Sequence, residues 1–487
     1  MPDSSKIHIR VIIKILGAFL IILGVMMASS AIFSFLYKEN DGPAILLSSG
    51  ITILSGMLLF FANRNVDLKS IGKKDGFIIV TFTWIVISLF GTLPFLISGQ
   101  ITNFTDAFFE TMSGFTTTGA TILQDIESVT KGILFWRSLT HWIGGMGIIV
   151  LSLAIMPILG IGGMQLFVAE VPGPTKDKLH PRITDTAKRL WGIYVILTAV
   201  QTGLLMTGGL NVHDALCHAF GTMATGGFST QNASIAGYSP YIQYTIIVFM
   251  FLAGTSFVLH YYALHLQFSK VYKNEEFRFY TLLIIIAAAV LSISLILFYD
   301  STIEESFRAA LFQTVSIVTT TGYITTDYLY WPPFAWLLIF LLMFTGGCAG
   351  STGGGIKTVR QLLLFKNSAL ELKRLIHPKA VLPVRLNGKA VSEQVINNVL
   401  AFFLIYMLIF TFGSLFMSML GLDFESSLGS VAACLGNIGP GIGLVGLVHN
   451  YSYVPDAGKW MLSFLMLLGR LELFTVLILF SMSFWKN

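Results

Sequence analysis

Charged residues are scarce in this sequence. Asp, Glu, Lys and Arg make up 11% of its 487 residues, whereas a soluble globular domain has about 25%. Hydrophobic residues make up 54%, and the apolar runs at 11–36, 77–97 and 280–298 are each about 20 residues long or more, enough for a helix to cross a bilayer. The composition excludes an ordinary soluble protein and predicts a polytopic membrane protein.

Cysteine is also rare, and its placement excludes two common uses. Cys217, Cys348 and Cys434 are far apart in the chain, so they match neither a disulfide framework nor a zinc-binding spacing. The sequence contains no HExxH, no GxSxG and no paired intramembrane aspartates, which leaves an intramembrane enzyme such as a protease or lipid transferase as a remote alternative. We therefore expect no enzyme and no covalently bound cofactor.

Basic residues occupy alternate loops and the chain ends. They cluster at residues 6–14, 64–74, 176–189, 270–278 and 357–389 and at Lys486. An excess of Lys and Arg in alternate loops marks the cytoplasmic side of a membrane protein, so both termini are expected in the cytoplasm. The formal net charge of +5 is therefore explained by the basic loops that set membrane topology. We expect no nucleic-acid partner.

A unit with the same layout recurs four times along the chain. After two transmembrane helices expected within residues 1–70, each unit has an apolar span, a short amphipathic segment, a Thr/Gly-rich string and a second apolar span. The units and their strings are 75–170 with FTTTGAT, 185–268 with MATGGFST, 278–366 with VTTTGYIT, and 390–487 with LGNIGPGIG. Alignment of the strings superposes Gly119, Gly227, Gly322 and Gly439, about one hundred residues apart each time.

The amphipathic segments before the strings are too short to cross a bilayer. They cover 106–115, 214–223, 304–315 and 425–435, about ten residues each, whereas a span needs about 20. We expect half-helices that enter from the outer face and end at the strings. Because non-helical backbone survives at membrane depth only against protein or water, the four strings are predicted to meet on one axis. The alternative is that they are small-residue sites for helix packing.

The composition of the strings suits an ion filter. Backbone carbonyls and Thr hydroxyls can replace the hydration shell of a cation, and glycine permits the dihedral angles that turn successive carbonyls toward an axis. No Asp or Glu occurs inside the four strings. Dipoles rather than fixed charges would then attract the ion, which favours a monovalent cation.

These four strings, together with FWRSLTHWIGGMG (135–147) and AEVPGPTKDKLHPR (169–182), resemble the Trk/Ktr/HKT superfamily of potassium transport proteins, and in particular its TrkH-like branch. The resemblance covers essentially the whole chain. It implies an all-α polytopic membrane protein with four covalently linked M1–pore-loop–M2 repeats of potassium-channel type around a pseudo-fourfold axis, plus two N-terminal transmembrane helices.

The resemblance also assigns a potassium filter to residues of the four strings. The filter residues it implies are Thr117, Thr118, Gly119, Thr225, Gly226, Gly227, Thr320, Thr321, Gly322, Asn437, Ile438 and Gly439. Glycine at the aligned position of all four strings favours potassium over sodium. The second glycine of true channels is absent from the first three strings, where Thr121, Ser229 and Ile324 stand, so weaker discrimination against sodium is expected.

Two features on the cytoplasmic side of the strings concern gating. Six of the ten residues from 346 to 355 are glycine, and an ordinary helix should break there. In the family this stretch is similar to an intramembrane loop that obstructs the ion path, whereas a plain packing kink is the alternative. The residues assigned to gating are Gly346, Gly347, Gly350, Gly353, Gly354, Gly355, Lys357 and Arg470.

The two basic residues of this set are judged separately. Arg470 lies about 18 Å deep when counted at about 1.5 Å per residue, where charge needs water or a partner. The resemblance places it under the filter, restraining cation flow; burial in the interior without a pore role is the alternative. Glu472 is not expected to be its partner. Lys357 either begins the basic cytoplasmic segment or holds the loop.

Three residues of the FWRSLTHWIGGMG string are expected to be structural. Trp136 and Arg137 are interpreted as anchors at the outer membrane interface. His141 is interpreted as a hydrogen-bonded interior histidine rather than an ion ligand.

The expected function is potassium uptake across the bacterial inner membrane. The resemblance implies gating by the glycine-rich loop and by a cytosolic nucleotide-binding TrkA-type regulatory ring, with the loops at 176–189 and 357–389 as the contact surface, and a homodimer. A proton- or sodium-coupled symporter is the alternative, disfavoured because the spans carry no chain of carboxylates. Potassium is thus expected as the transported ion, with no cofactor.

Overall fold

Almost every long apolar segment of the sequence is helical in the computed structural model, which describes residues 7–66, 72–150, 179–299, 302–446 and 450–486. One short hairpin is the exception to the expected all-α architecture. In it, Arg385–Leu386 (β1) pairs antiparallel with Lys389–Ala390 (β2). Asn387 and Gly388 form the turn with φ of 48° and 78°, the left-handed conformation that Asn-Gly hairpin turns require.

The helices are numbered in chain order. They are α1 (Ile9–Tyr37), α2 (Gly42–Ala62), α3 (Lys73–Gly91), α4 (Leu93–Ser98), α5 (Phe104–Phe115), α6 (Lys131–Val150), α7 (Leu179–Thr207), α8 (Val212–Met223), α9 (Pro240–Gly254), α10 (Phe257–Leu264), α11 (Phe268–Tyr272), α12 (Glu275–Phe298), α13 (Ile303–Val318), α14 (Pro333–Leu342), α15 (Thr358–Ile376), α16 (Glu393–Met419), α17 (Phe424–Gly436), α18 (Asp456–Arg470), α19 (Phe474–Leu477) and α20 (Met482–Trp485). Three short 3₁₀ turns add Tyr328–Tyr330, Gly443–Val445 and Ile478–Phe480.

Six helices within the described ranges are long and apolar enough to cross a membrane. These spans are Ile9–Tyr37, Gly42–Ala62, Lys73–Ser98, Ala187–Thr207, Glu275–Phe298 and Glu393–Met419. Their outward faces carry large apolar side chains, for example Leu58 and Leu297, each 72% exposed. Apolar faces of this extent are expected where lipid rather than water surrounds a protein.

Within the described ranges, two further candidate spans are bent helix pairs, and one shorter apolar helix ends at a break. The pair α9 and α10 bends by 104°, and the pair formed by Asp456–Arg470 and Phe474–Phe480 bends by 110°. Helix α14 ends at Leu342, and α15 begins only at Thr358. Only the last of these breaks was expected from the sequence, because it alone contains a run of glycines.

The break after α9 has a tertiary cause. The carbonyl oxygen of Gly254 accepts a hydrogen bond from the backbone N–H of Cys348 (2.8 Å), and the N–H of Phe257 donates to the carbonyl of Gly350 (3.0 Å). Both partners belong to the glycine-rich stretch about a hundred residues downstream. The backbone groups that the bend releases are therefore satisfied by a distant segment, as membrane-depth backbone requires.

Helices α5, α8, α13 and α17 are short and share one design. Each begins after a residue whose side chain accepts a hydrogen bond from the first turn, which is standard N-capping. These caps are Asn103, Asn211, Thr302 and Asp423. Each first turn also carries at least one acidic residue, favourable at the positive end of a helix dipole.

The longer helices surround these four short ones in a regular way. Helix α5 contacts α3, α6 and α18, helix α8 contacts α7, α9 and α6, and helix α13 contacts α12, α14 and α9. Helix α17 contacts α16 and α18. Each short helix thus packs between the helices that precede and follow it, and α5 at the start of the series meets α18 at its end.

Candidate ion filter and the loop beneath it

The four Thr/Gly-rich strings begin where the short helices end. Their backbones share one pattern: two residues of each string have positive φ, with one residue between them that does not. The pairs are Thr117 (51°) and Gly119 (84°), Thr225 (54°) and Gly227 (77°), Thr320 (60°) and Gly322 (79°), and Asn437 (54°) and Gly439 (97°). Alternation of this kind turns neighbouring carbonyls to the same side of a chain. A positive φ is unfavourable for threonine, so its recurrence at one position indicates a constraint common to all strings.

The structure brings the four aligned glycines together in a closed ring. A Cβ atom added to any of them would lie closer than 3.0 Å to the carbonyl oxygen just before the aligned glycine of the next string. These contacts run from Gly119 to Gly226, from Gly227 to Thr321, from Gly322 to Ile438, and from Gly439 to Thr118. Because the last contact returns to the first string, the four strings form one continuous ring. Of the twelve expected filter residues, all are buried except Gly119 and Gly227, which are partly exposed.

The hydroxyls of this site are mostly engaged. Those of Thr118 and Thr321 bond to the hydroxyls of the threonines two residues earlier (2.8 and 2.7 Å), and that of Thr225 donates to the carbonyl of Ala224 (2.6 Å). Since these side chains are turned into the protein, the backbone carbonyls are the ligands that they leave for an ion. The assignment of these residues to an ion filter stays a prediction.

The fourth string differs from the other three. The side-chain amide of Asn437 donates to the hydroxyl of Thr118 (3.0 Å) and to the carbonyl of Met466 (2.9 Å), so it links two strings behind the ring. The carbonyl of Gly439 accepts a hydrogen bond from the hydroxyl of Tyr451 (2.8 Å). Tyr451 was not expected at the site, because it lies outside the string in sequence.

A cavity of about 130 Å³ lies at the end of the ring where the chain continues from the glycines. All four aligned glycines line it, and its volume suffices for several water molecules. No Asp or Glu is among its lining residues within the described chain. Asn232, which does line it, donates to the carboxylate of Asp125 (3.0 Å), and this hydrogen bond lowers the pKa of Asp125 below its ordinary value.

The glycine-rich stretch 346–355 lies against the opposite end of the ring. Its contacts reach the ends of three short helices: the Thr352 hydroxyl donates to the Met223 carbonyl (3.0 Å), the Gly354 N–H donates to the Thr320 hydroxyl (2.6 Å), and a Cβ on Gly354 would lie 2.6 Å from the Gly436 carbonyl oxygen. We call residues 346–355 the inner loop. It occupies the space directly beneath the filter strings.

Close packing explains the glycines of the inner loop. Gly350 and Gly355 have φ of 76° and 63°, which glycine adopts without strain. The other four, Gly346, Gly347, Gly353 and Gly354, approach backbone atoms so closely that an added Cβ would lie under 3.0 Å from a carbonyl oxygen. A larger residue at any of the six positions would displace the loop.

Two buried basic side chains form hydrogen bonds with the inner loop. The Arg470 guanidinium donates to the carbonyls of Thr352 (2.7 Å) and Gly144 (2.9 Å) and is 2% exposed. The ammonium of Lys357 donates to the carbonyl of Gly353. Both expected gating cations therefore contact the loop, and the contact of Lys357 agrees with the interpretation that it holds the loop.

Glu472 is not the partner of Arg470, as expected from their spacing. Its carboxylate pairs instead with Arg360 on α15, whose guanidinium carbon lies 4.1 Å from the centre of the Phe402 ring. Helix α15, which continues the chain from the inner loop, is thereby fixed to the segment that follows Arg470.

The interpretation of Trp136 and Arg137 as interface anchors is wrong. Both are buried, at 0% and 2% exposure. The Arg137 side chain lies 2.6 Å from the Glu110 carboxylate on α5, a partner 27 residues away on another helix. The ring of His141 is interior as expected, stacked at 4.0 Å on Phe228, but neither ring nitrogen has a hydrogen-bond partner within the described chain.

Comparison with known proteins settles the family. The family model described as "TrkH: Cation transport protein" matches residues 41–486 of this chain. The chain belongs to the TrkH family. It is therefore a multi-pass membrane protein, in agreement with its apolar helical spans.

Individual TrkH proteins are similar to this chain over nearly its full length and nearly theirs. The "Trk system potassium uptake protein TrkH" of Vibrio parahaemolyticus is 42% identical over 98% of this chain and 99% of its own, and that of Escherichia coli is 42% identical over 99% and 100%. The crystal structure of the potassium transporter TrkH from Vibrio parahaemolyticus has a TM-score of 0.91 and 40% identity, covering 99% of this chain and 100% of that one. These relatives are named as transport proteins, not as enzymes.

Proposed function

We propose that this chain takes up potassium across the bacterial inner membrane through the ring formed by Gly119, Gly227, Gly322 and Gly439. The observation that carries the proposal is the closed series of contacts between the four strings, each with two left-handed residues. The names of the TrkH relatives support potassium as the ion. Both termini lie on the cytoplasmic side in this proposal, in keeping with the basic loops.

The proposed architecture is a pseudo-fourfold one. Residues 1–70 supply two N-terminal helices, and the four pore repeats are 75–170, 185–268, 278–366 and 390–487, the third with a broken second helix. The shared capping and the regular packing of α5, α8, α13 and α17 support it. Residues 151–170 of the first repeat lie outside the described residues.

Selectivity in this proposal comes from oxygen dipoles. Carbonyls of the twelve filter residues replace the water around potassium, and the C-terminal ends of the short helices add partial negative charge below the ring. Because no carboxylate of the described residues lines the cavity next to the four aligned glycines, no fixed negative charge there favours a divalent ion.

Gating in this proposal is the displacement of the inner loop. The loop fills the space under the filter, and Arg470 adds a positive charge there. Helix α15 begins just after the loop and lies within the basic segment 357–389. A cytosolic nucleotide-binding TrkA-type ring bound to this segment would therefore act on the loop through the helix. The second expected contact surface, 176–189, lies mostly in residues whose side chains the structure does not describe. A homodimer is part of the proposal.

Flux measurements on the purified chain in liposomes test this function. Potassium entry driven by a potassium gradient alone, with or without the cytosolic ring and nucleotide, is the expected result. Entry that requires a proton or sodium gradient would instead support the symporter. Absence of potassium entry under every one of these conditions would overturn the proposal.

A further inference from the structure

A buried carboxylate lies behind the first filter string. Glu110 precedes Gly119 by nine residues on α5 and is 1% exposed. It accepts hydrogen bonds from the hydroxyl of Thr121 (2.9 and 3.1 Å) and from the backbone N–H of Ile122 (2.9 Å). The carboxylate therefore reaches the chain just beyond the filter glycine and fixes the outer end of this string.

A buried guanidinium extends this contact to the second string. Arg137 on α6 donates from Nε to Glu110 (2.6 Å) and from a terminal nitrogen to the carbonyl of Ser229 (3.0 Å). Its guanidinium carbon also lies 3.5 Å from the centre of the Phe228 ring. Phe228 and Ser229 directly follow Gly227, so one ion pair joins the outer ends of two neighbouring strings.

The other strings have uncharged side chains at the position of Glu110. Nine residues before the aligned glycines stand His218, Gln313 and Ser430. His218 bonds to the hydroxyl of Ser229 (3.0 Å) and Gln313 to the carbonyl of Thr326 (3.3 Å). Among these four aligned positions, only that of Glu110 holds a carboxylate.

A role in stability alone does not account for the ion pair. Removal of two charges from water is unfavourable, and well-packed apolar residues of similar volume often stabilise a protein equally well. The pair does fix the positions of two strings, because its hydrogen bonds reach Thr121 and Ser229, each two residues after a filter glycine. Small changes at these residues move the carbonyls next to them.

We propose that Glu110 and Arg137 are positioning residues that hold the first two filter strings at the spacing suited to potassium and thereby exclude sodium. The inference rests on the proposed potassium filter. In this proposal, part of the discrimination between potassium and sodium comes from the ion pair and not from the filter strings alone.

Glu110→Gln and Arg137→Met test the proposal, since each removes one charge and keeps the approximate shape. The potassium-to-sodium permeability ratio is measured in liposomes, under conditions in which the unaltered chain conducts potassium. We expect the ratio to fall about tenfold, which is a change of about 1.4 kcal/mol in the difference between the barriers for the two ions. Glu304→Gln is the matched control, because it breaks a half-exposed ion pair with Arg308 on α13, and its ratio should not change.

Thr121→Val keeps the test decisive if the charge variants fail to accumulate. It removes the hydroxyl that Glu110 binds and leaves the ion pair intact, and a smaller decrease in the ratio is expected. An unchanged ratio in the folded Glu110 and Arg137 variants, or in Thr121→Val if only that variant accumulates, would overturn the inference while leaving the filter itself in place. Absence of potassium flux through the unaltered chain would instead contradict the proposed function.

Discussion

The backbone N–H of Gly354 donates a 2.6 Å hydrogen bond to the side-chain hydroxyl of Thr320. One of these residues belongs to the inner loop and the other to the third filter string. In the proposed function, the loop therefore forms a hydrogen bond with a hydroxyl at the inner end of the filter. Movement of the loop away from the filter would leave the Thr320 hydroxyl free to face the ion pathway.

Gly354→Ala should open the pathway in part. The added methyl group would lie 2.6 Å from the carbonyl oxygen of Gly436, a distance that real Cβ atoms do not show, so the loop must shift away from the filter. We expect potassium flux without the cytosolic partner to rise several-fold. Gly203→Ala on α7, where a Cβ has no neighbour within 4 Å, should leave flux unchanged; equal flux in both variants would contradict a gating role for the loop.

Arg470→Gln should also raise flux without the partner. The change removes a positive charge beneath the filter and weakens the hydrogen bonds to Thr352 and Gly144. Arg374→Gln, in the last turn of α15 where the guanidinium is about one-third exposed, is the control for loss of a basic residue. Single-channel recording of both variants would measure the effect, and a flux at or below that of the unaltered chain would count against the electrostatic restraint.

Gly322→Ser should reduce the preference for potassium over sodium. Gly322 has a φ of 79°, and any Cβ there would meet the carbonyl oxygen of Ile438. The ring must widen or distort to accept it, so the permeability ratio in liposomes is expected to fall at least several-fold. Gly237→Ser lies outside the ring, in open space. A potassium preference that survives in Gly322→Ser as it does in Gly237→Ser would remove Gly322 from the filter.

Thr302→Ala should destabilise the third short helix. Thr302 caps α13 and exchanges hydrogen bonds with Glu305, and loss of such a cap costs about 1 kcal/mol. The thermal unfolding midpoint in detergent is expected to fall by about 1 °C, because the entropy of unfolding scales with chain length. Thr245→Ala, whose exposed hydroxyl bonds only within its own helix, is the control, and a midpoint shift of the same size in both would show that the cap contributes nothing specific.

Local features of the sequence predicted the short helices well. The predicted segment 214–223 corresponds to α8 (Val212–Met223), because the end of this helix is set by the string that follows it. The predicted start was two residues late, because the helix begins directly after its cap, Asn211. The close approach of the aligned glycines also followed from their shared context in four strings.

Long-range contacts explain what the sequence did not predict. Arg137 resembles an interface anchor when its own segment is considered alone, and only the fold brings Glu110 to it. The bend after Gly254 contains no run of glycines, and its backbone groups are satisfied by Cys348 and Gly350. Positive φ at Thr117, a residue that normally avoids it, likewise follows from closure of the ring and not from local preference.

The N–H of Cys348 donates to the carbonyl of Gly254, and the N–H of Phe257 donates to the carbonyl of Gly350, so the bend between α9 and α10 depends on the inner loop. If the inner loop withdraws, both groups at the 104° corner lose their partners in an apolar environment, and a straight helix through residues 254–257 is the conformation that would pair them again. Withdrawal of the loop and straightening of this corner would then be coupled through the same two backbone groups.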